Sequence, residues 1–295
     1  MQIVEIILSP LLAVIIGIFF LGLSRKIMAR IQWRYGPPIT QPFIDLIRLF
    51  SQRSVSHGHL FNFGIILSVA GSLMVVLFIP FGQMHPMSGS GGLLVILYIM
   101  LLAPLGLALS GGEAANPNTS IGISRQLILA LGYEVPLLLV LLAVMTHYQT
   151  ISIVQIVSEQ QSTGWALFSS PLFVSGIAYF LIIPAILGMR PFEIIQAPQE
   201  ISSGPMVEYG GPFLALATIQ HALNIFIGLA LFVNLFLSGA GNPLIFFLKM
   251  LIVFVLGLII NAVYPRLRIE QAVQYLWRWP TLVALIGLVV VMVVR

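Results

Sequence analysis

Residues 213–237 read Phe213-Leu-Ala-Leu-Ala-Thr-Ile-Gln-His-Ala-Leu-Asn-Ile-Phe-Ile-Gly-Leu-Ala-Leu-Phe-Val-Asn-Leu-Phe-Leu237, twenty-five positions without one Asp, Glu, Lys or Arg. About 20 such residues suffice for a helix to cross the hydrocarbon of a bilayer. The rest of the chain repeats the pattern. Of its 295 residues 59% are hydrophobic and only 7% charged, whereas a soluble domain carries charge at about a quarter of its positions. Mean hydropathy is +1.06. So few charges cannot coat a water-facing surface, and the chain reads as an integral membrane protein. Its formal net charge of +4 is accounted for by membrane topology, which sets aside a nucleic-acid partner.

Working outward from that stretch, further apolar runs fall at 3–24, 60–80, 93–109, 127–146, 171–189, 244–264 and 280–294. Together they predict an all-α polytopic membrane protein of about eight transmembrane helices. The first run is followed, not preceded, by its cations Arg25, Lys26 and Arg30, and reads as a retained helix. With no fixed-period repeat and no low-complexity linker, a single transmembrane domain over 1–295 is expected.

The cations orient the chain, because Lys and Arg are retained on the cytoplasmic side. Arg25, Lys26, Arg30, Arg34, Arg48 and Arg53 fall in loop 1, Arg125 in loop 3, Arg190 in loop 5, and Arg266, Arg268 and Arg278 in loop 7, which is 11 of the 13. Lys249 and Arg295 are placed to snorkel to the other side. Both termini are therefore expected outside, with loops 1, 3, 5 and 7 cytoplasmic. Asp45, Glu113, Glu193, Glu200, Glu208 and Glu270 lie in or beside the same loops, so polar chemistry is concentrated on one face. The chain has no cysteine, which excludes disulfides, thiolate nucleophiles and Cys-ligated iron–sulfur clusters within it. Only His221 of the five histidines lies inside an apolar run, so a haem held by two membrane histidines is not expected. Metal and cofactor sites are assigned to none of its residues.

Loop 1 contains Arg34-Tyr-Gly-Pro-Pro-Ile-Thr-Gln-Pro42-Phe-Ile-Asp45-Leu-Ile-Arg48. Gly36-Pro37-Pro38 forces an extended turn, and Pro42 suits the start of a new helix on which Asp45, Arg48 and Gln52 share a face. Such a helix either lies on the membrane as an amphipathic element or forms a ledge for a soluble subunit. In loop 5, Glu193 and Glu200 each follow a proline by two positions. Each is then either a helix-start acceptor, with Pro at the first position and Glu at the third, or one of a chain of carboxylates passing protons into the membrane.

Glu134 carries the proton reading furthest. It lies nine residues beyond Arg125, about 13 Å deeper by helical rise and on the opposite face of its helix. A charge near mid-bilayer costs about 2.5 to 3.5 kcal/mol on insertion scales, so a carboxyl there is protonated or faces a polar cavity. His221 and Asn224 share a face of the sixth span and either extend that polar line or pair between helices.

Taken together, the Arg34-Tyr-Gly-Pro-Pro…Gln41-Pro42…Asp45 run, Ser120-Ile-Gly-Ile-Ser-Arg125 with Glu134-Val-Pro, and Arg190-Pro-Phe-Glu193…Glu200…Gly204-Pro…Glu208-Tyr-x-Gly resemble the NuoH family, the heel subunit of respiratory complex I. The Gly-Pro-Pro form of loop 1 is similar to relatives in energy-converting membrane-bound nickel–iron hydrogenases of the Ech and formate hydrogenlyase type. Complex I versions carry Gly-Pro-Asn-Arg there. The resemblance implies a subunit without redox centres of its own. Hydrophilic hydrogenase subunits holding iron–sulfur clusters and a nickel–iron centre would dock on Arg34, Asp45, Arg48, Arg125 and Arg190, with antiporter-like membrane subunits and lipid alongside. Glu134, Glu113, Glu193, Glu200, Glu208 and His221 would couple ferredoxin-dependent electron transfer to proton or sodium movement across the cell membrane. Gln196 and Pro198 stand where many relatives carry further acids, and Glu113 follows Gly111-Gly112 where hydrogenase relatives tend to show Asp. Loop 5 is thus left with two roles, conduction or bracing of the docked arm. A quinone-chamber subunit and, from another class, a free-standing secondary transporter are the competing functions. The transporter would need an ion site at mid-membrane built by broken helices.

Overall fold

The computed structural model describes residues 2–87, 92–114, 116–169 and 171–294, so Arg295 lies outside the described residues. They form twelve α-helices: α1 Gln2–Ile31, α2 Gln41–Phe50, α3 His59–Phe78, α4 Leu93–Met100, α5 Leu102–Gly112, α6 Pro117–Tyr148, α7 Ile153–Thr163, α8 Phe173–Ile186, α9 Pro198–Ile201, α10 Gly211–Phe236, α11 Pro243–Val263 and α12 Ile269–Val294. Seven spans are long and apolar enough to cross a membrane: α1, α3, α4 with α5, α6, α10, α11 and α12. The predicted fifth span is α8, only 14 residues long. Gly188, at φ +64°, turns the chain away just beyond it. Its rise is about 21 Å, short of the roughly 30 Å hydrocarbon thickness.

Other boundaries also differ from the sequence reading: α1 runs on to Ile31, so Arg25, Lys26 and Arg30 lie within it, and α12 starts at Ile269 and not near 280. The run at 93–109 breaks at Leu101, because Pro104 has no N–H to offer the Met100 carbonyl. α6 begins at Pro117, capped by the Asn116 side chain, which accepts from Asn118 N at 3.0 Å. Arg125 therefore sits inside a helix and not in loop 3, and Arg278 likewise lies within α12.

Small residues let the spans touch backbone to backbone, as membrane interfaces require in the absence of a hydrophobic drive between helices. A Cβ on Gly64 of α3 would stand 2.6 Å from Gly106 O of α5, and one on Gly106 would stand 2.6 Å from Gly64 O. Ser68 Oγ seals the same contact by donating to Ala103 O at 2.8 Å. α12 packs on α6 and α8, while α10 is the most enclosed span, flanked by α1, α3, α8 and α11. Outward faces of α1, α11 and α12 stay apolar, with Ile3, Ile7, Leu244, Ile252 and Val293 exposed.

Candidate functional site: a polar vestibule at the basic face

Loops 1, 3, 5 and 7 gather at one end of the bundle, hereafter the basic face. α1 carries Arg25, Lys26 and Arg30 on its last two turns, and Tyr35 draws the latter two back over its ring, at 5.2 and 5.0 Å from the centroid. α2 begins as the sequence predicts, with Pro42 in its first turn. Gln41 donates to Asp45 Oδ1 at 2.8 Å and Arg25 to Oδ2 at 3.4 Å, so Asp45 ties α2 to α1.

Loop 5 is the hub. Arg190 N donates to Asn261 Oδ1 at 3.1 Å, and Arg190 Nε to Glu193 Oε2 at 3.0 Å. Arg266 of loop 7 stands 3.6 Å from the same oxygen. No helix starts at Pro191, so Glu193 is an ion-pair partner in a non-helical, turning segment and not a helix-start acceptor. A helix does start at Pro198, yet Glu200 turns outward to Arg125 at 2.8 Å and makes no cap bond. Glu208 meets His57 at 3.1 Å, which joins loop 5 to loop 1. Glu113 accepts from Phe61 N and so caps α3, a contact in which the carboxylate faces the positive end of the helix. Tyr209 is buried against Phe61, and burial pushes its hydroxyl above the ordinary pKa. Among the described residues no two of the acids Glu113, Glu134, Glu193, Glu200 and Glu208 bond to each other.

A cavity of about 1100 Å³ opens within this network, lined among others by Arg25, Arg34, Asp45, Arg48, Arg190 and Glu193. Four of the five predicted docking residues thus surround one space, while Arg125 lies apart on Glu200. Gly188, Glu193, Gln196, Met206 and His221 form a wall shared with a second, deeper cavity of about 120 Å³. Its remaining polar lining is Gln126 and Tyr133 from α6 and Gln220 and Asn224 from α10. Gln126 Oε1 and Gln220 Nε2 are buried there without protein partners. A polar space of this size has room for about four waters at ~30 Å³ each. Glu134 follows Tyr133 on α6, half-buried, and no hydrogen bond or ion pair reaches its carboxylate among the described residues. It lines neither cavity.

Arg266, Asn261, His57, Gln126 and Gln220 belong to this assembly and are not singled out by the sequence reading. Gln220 had a usable signal, since a buried amide in a charge-free apolar run is costly unless it has a polar neighbour. Arg266 has none, because nothing local links it to Glu193.

The sequence matches the model of the NADH dehydrogenase family over residues 3–292. The chain belongs to this family, of NuoH type. Within it, the chain is 31% identical to hydrogenase-4 component C of Escherichia coli (strain K12), covering 90% of this chain and 89% of that one. It is 28% identical to the NuoH-type chain of the NADH-quinone oxidoreductase of Carboxydothermus hydrogenoformans, over 89% and 80% of the two chains. A chain from the structure of the membrane-bound sulfane sulfur reductase, an archaeal respiratory membrane complex, superposes with a TM-score of 0.95 at 35% identity, covering 98% of this chain and 99% of its own. The NuoH-type fold therefore extends over nearly the whole molecule, and the vestibule belongs to that fold.

Proposed function

We propose that this chain is the membrane anchor and ion-coupling subunit of an energy-converting hydrogenase complex in the cell membrane. The basic face, cytoplasmic in this reading, seats a hydrophilic arm holding iron–sulfur clusters and a nickel–iron centre. Antiporter-like membrane subunits and lipid cover the apolar flanks. Ferredoxin-dependent electron transfer in the arm is linked to proton or sodium movement through the membrane. The observation that carries the reading is the polar path running inward from the basic face. It passes from the arginine-lined vestibule to Glu193 and His221, and from there into the amide-lined cavity against Tyr133, the neighbour of Glu134. The similarity to hydrogenase-4 component C over most of both chains supports the hydrogenase assignment.

Along that path Glu193 is the acceptor at the shared wall, held by Arg190 and Arg266. His221, which faces both cavities, relays a proton by binding on one ring nitrogen and releasing from the other. Waters on Gln126 and Gln220 take the place of the acids that relatives carry at the positions of Gln196 and Pro198. Glu134 is the terminal site inside the membrane. Glu113, Glu200 and Glu208, each engaged by a partner in another segment, brace the loops that receive the arm.

A quinone-chamber role is the second reading, favoured by the volume of the vestibule. Isolation of the native complex followed by nickel, iron and quinone assays separates the two. Nickel and iron without stoichiometric quinone support the hydrogenase reading, and quinone without nickel supports the chamber. A chain isolated with no redox partner overturns both.

A further inference from the structure

At the end of the bundle opposite the basic face, α10 stops at Phe236 and the chain continues through Ser238 (φ +57°) and Gly239 (φ +51°). Around these two left-handed residues, the carbonyls of Leu237 and Gly239 converge on Lys249 of α11, whose ammonium lies 2.6 and 2.5 Å from them. Trp165 closes the third side, its ring centroid 5.2 Å from Lys249 Nζ. A non-glycine residue in this region is strained and persists only where its surroundings impose it.

The imposing group is Gln160, wholly buried in a membrane-spanning bundle. Its Oε1 accepts from Ser238 N at 2.8 Å, and its Nε2 donates to Asn234 O and Leu235 O at 3.2 and 2.9 Å. Asn234, also buried, donates to Pro80 O and Ala230 O, both at 3.0 Å. A Cβ on Gly239 would stand 2.9 Å from Asn234 Oδ1 and from Val157, so the turn leaves no space there for a side chain.

Gln160 thus satisfies the Asn234 and Leu235 carbonyls near the end of α10, and the Leu237 and Gly239 carbonyls beyond them are left to Lys249. Its ammonium fills a separate space made by two carbonyls pointing the same way beneath an aromatic face. Convergent carbonyl dipoles bind dehydrated monovalent cations, the indole face adds attraction for any cation, and the negative end of α10 adds more. A lysine seeking only water would extend away from the bundle; this one folds back into it.

We propose that the far end of α10 is a monovalent-cation cage, built from the Leu237 and Gly239 carbonyls under Trp165, which the chain fills with its own Lys249 ammonium. Sodium and potassium are thereby kept from loading at that end of the most enclosed span, while its other end opens on the vestibule. The proposal is independent of which redox partner docks on the basic face.

Lys249→Met removes the charge and keeps the stem. The full chain, wild type and variant, is unfolded thermally in nanodiscs in choline, sodium and potassium chloride at equal ionic strength. The variant is expected to unfold lowest in choline and several degrees higher in sodium or potassium, with the wild type alike in all three. Lys249→Ala gives a second reading: n-butylammonium, which restores a primary ammonium on four carbons, raises the midpoint, and tetrabutylammonium does not. If either variant fails to accumulate in cells, cell-free synthesis into nanodiscs in each salt gives the same comparison as yield of protease-resistant chain. Variants that respond to sodium, potassium and n-butylammonium no more than to the bulky cations overturn the cage and leave Lys249 as a helix cap.

Discussion

Replacing Glu193 by Gln tests the joint between loops 5 and 7 with little change of shape. Its Oε2 lies 3.0 Å from Arg190 and 3.6 Å from Arg266, and at an effective dielectric of ~20 each contact has a Coulomb energy of about 5 kcal/mol. Solvent reduces this sharply, since Glu193 is 33% and Arg190 42% exposed, and about 0.5 kcal/mol remains for the outer pair. Arg266 is different. It is 14% exposed and its Nε has no acceptor, so leaving its charge uncompensated costs about 1–3 kcal/mol. Glu193→Gln is therefore expected to destabilise by about 2 kcal/mol, which for a chain of this size lowers the unfolding midpoint by about 4 °C. Arg266→Gln should cost less. The double variant should recover about 1 kcal/mol relative to the sum, because removing the guanidinium removes the penalty of stranding it. Thermal unfolding of the four proteins in nanodiscs closes the cycle. A coupling energy of zero within error would refute the joint.

Glu134→Gln should assemble with its partners at wild-type level yet lower the ions moved per electron, as read from proton or sodium uptake by vesicles driven with reduced ferredoxin; unchanged stoichiometry would remove Glu134 from the path. Glu200→Gln should retain coupled turnover and lose about 1 kcal/mol of stability, its pair with Arg125 being exposed on the Glu200 side; a collapse of turnover with the arm still bound would return Glu200 to the conducting line. Gly64→Leu forces a side chain against the Gly106 backbone, and the expected loss is about 3 kcal/mol, seen as little folded chain in the membrane; normal accumulation would contradict the backbone contact. Reporter fusions after Gln83 and Gln161 should read as external and those after Gln52 and Ser203 as cytoplasmic; inversion at any two of them would reverse the docking face.

The long spans are legible in the sequence because a charge-free run of twenty residues has few other destinations. Their interruptions are less so. Pro104 marks the break at Leu101, and Asn116-Pro117 marks the true start of α6, but the polar turn that follows hides the helix from a hydropathy reading. α8 falls short because the apolar run continues through Gly188 while the backbone does not. In the site, the acids are legible by type and their partners are not. Glu193 and Glu200 sit in the same Pro-x-Glu frame, yet one is gripped by two arginines from different loops and the other by a residue on α6. Local pattern specifies what a helix start could use; tertiary packing decides which cation arrives first. Of the two orphaned glutamines, Gln220 stands out in its charge-free run while Gln126, beside Arg125, does not, and only packing brings α6 and α10 together so that both line the same small cavity.

The shortness of α8 has an electrical consequence. With the start of α8 set at the far edge of a 30 Å hydrocarbon layer, its 14 residues leave loop 5 and the vestibule in about the last 9 Å, where their backbone would need a hydrated space and not lipid. Water and mobile ions there hold the potential of the bulk on that side. The whole transmembrane voltage then falls across about 21 Å, and the local field is steeper by a factor of about 1.4 than across an unbroken bilayer. On the proposed path, a charge at Glu193 would have done no electrical work, and one leaving for the opposite side would do all of it, about 2.3 kcal/mol for each 100 mV. If ions follow the proposed path, the steps beyond Glu193 are the ones that membrane voltage would retard or drive.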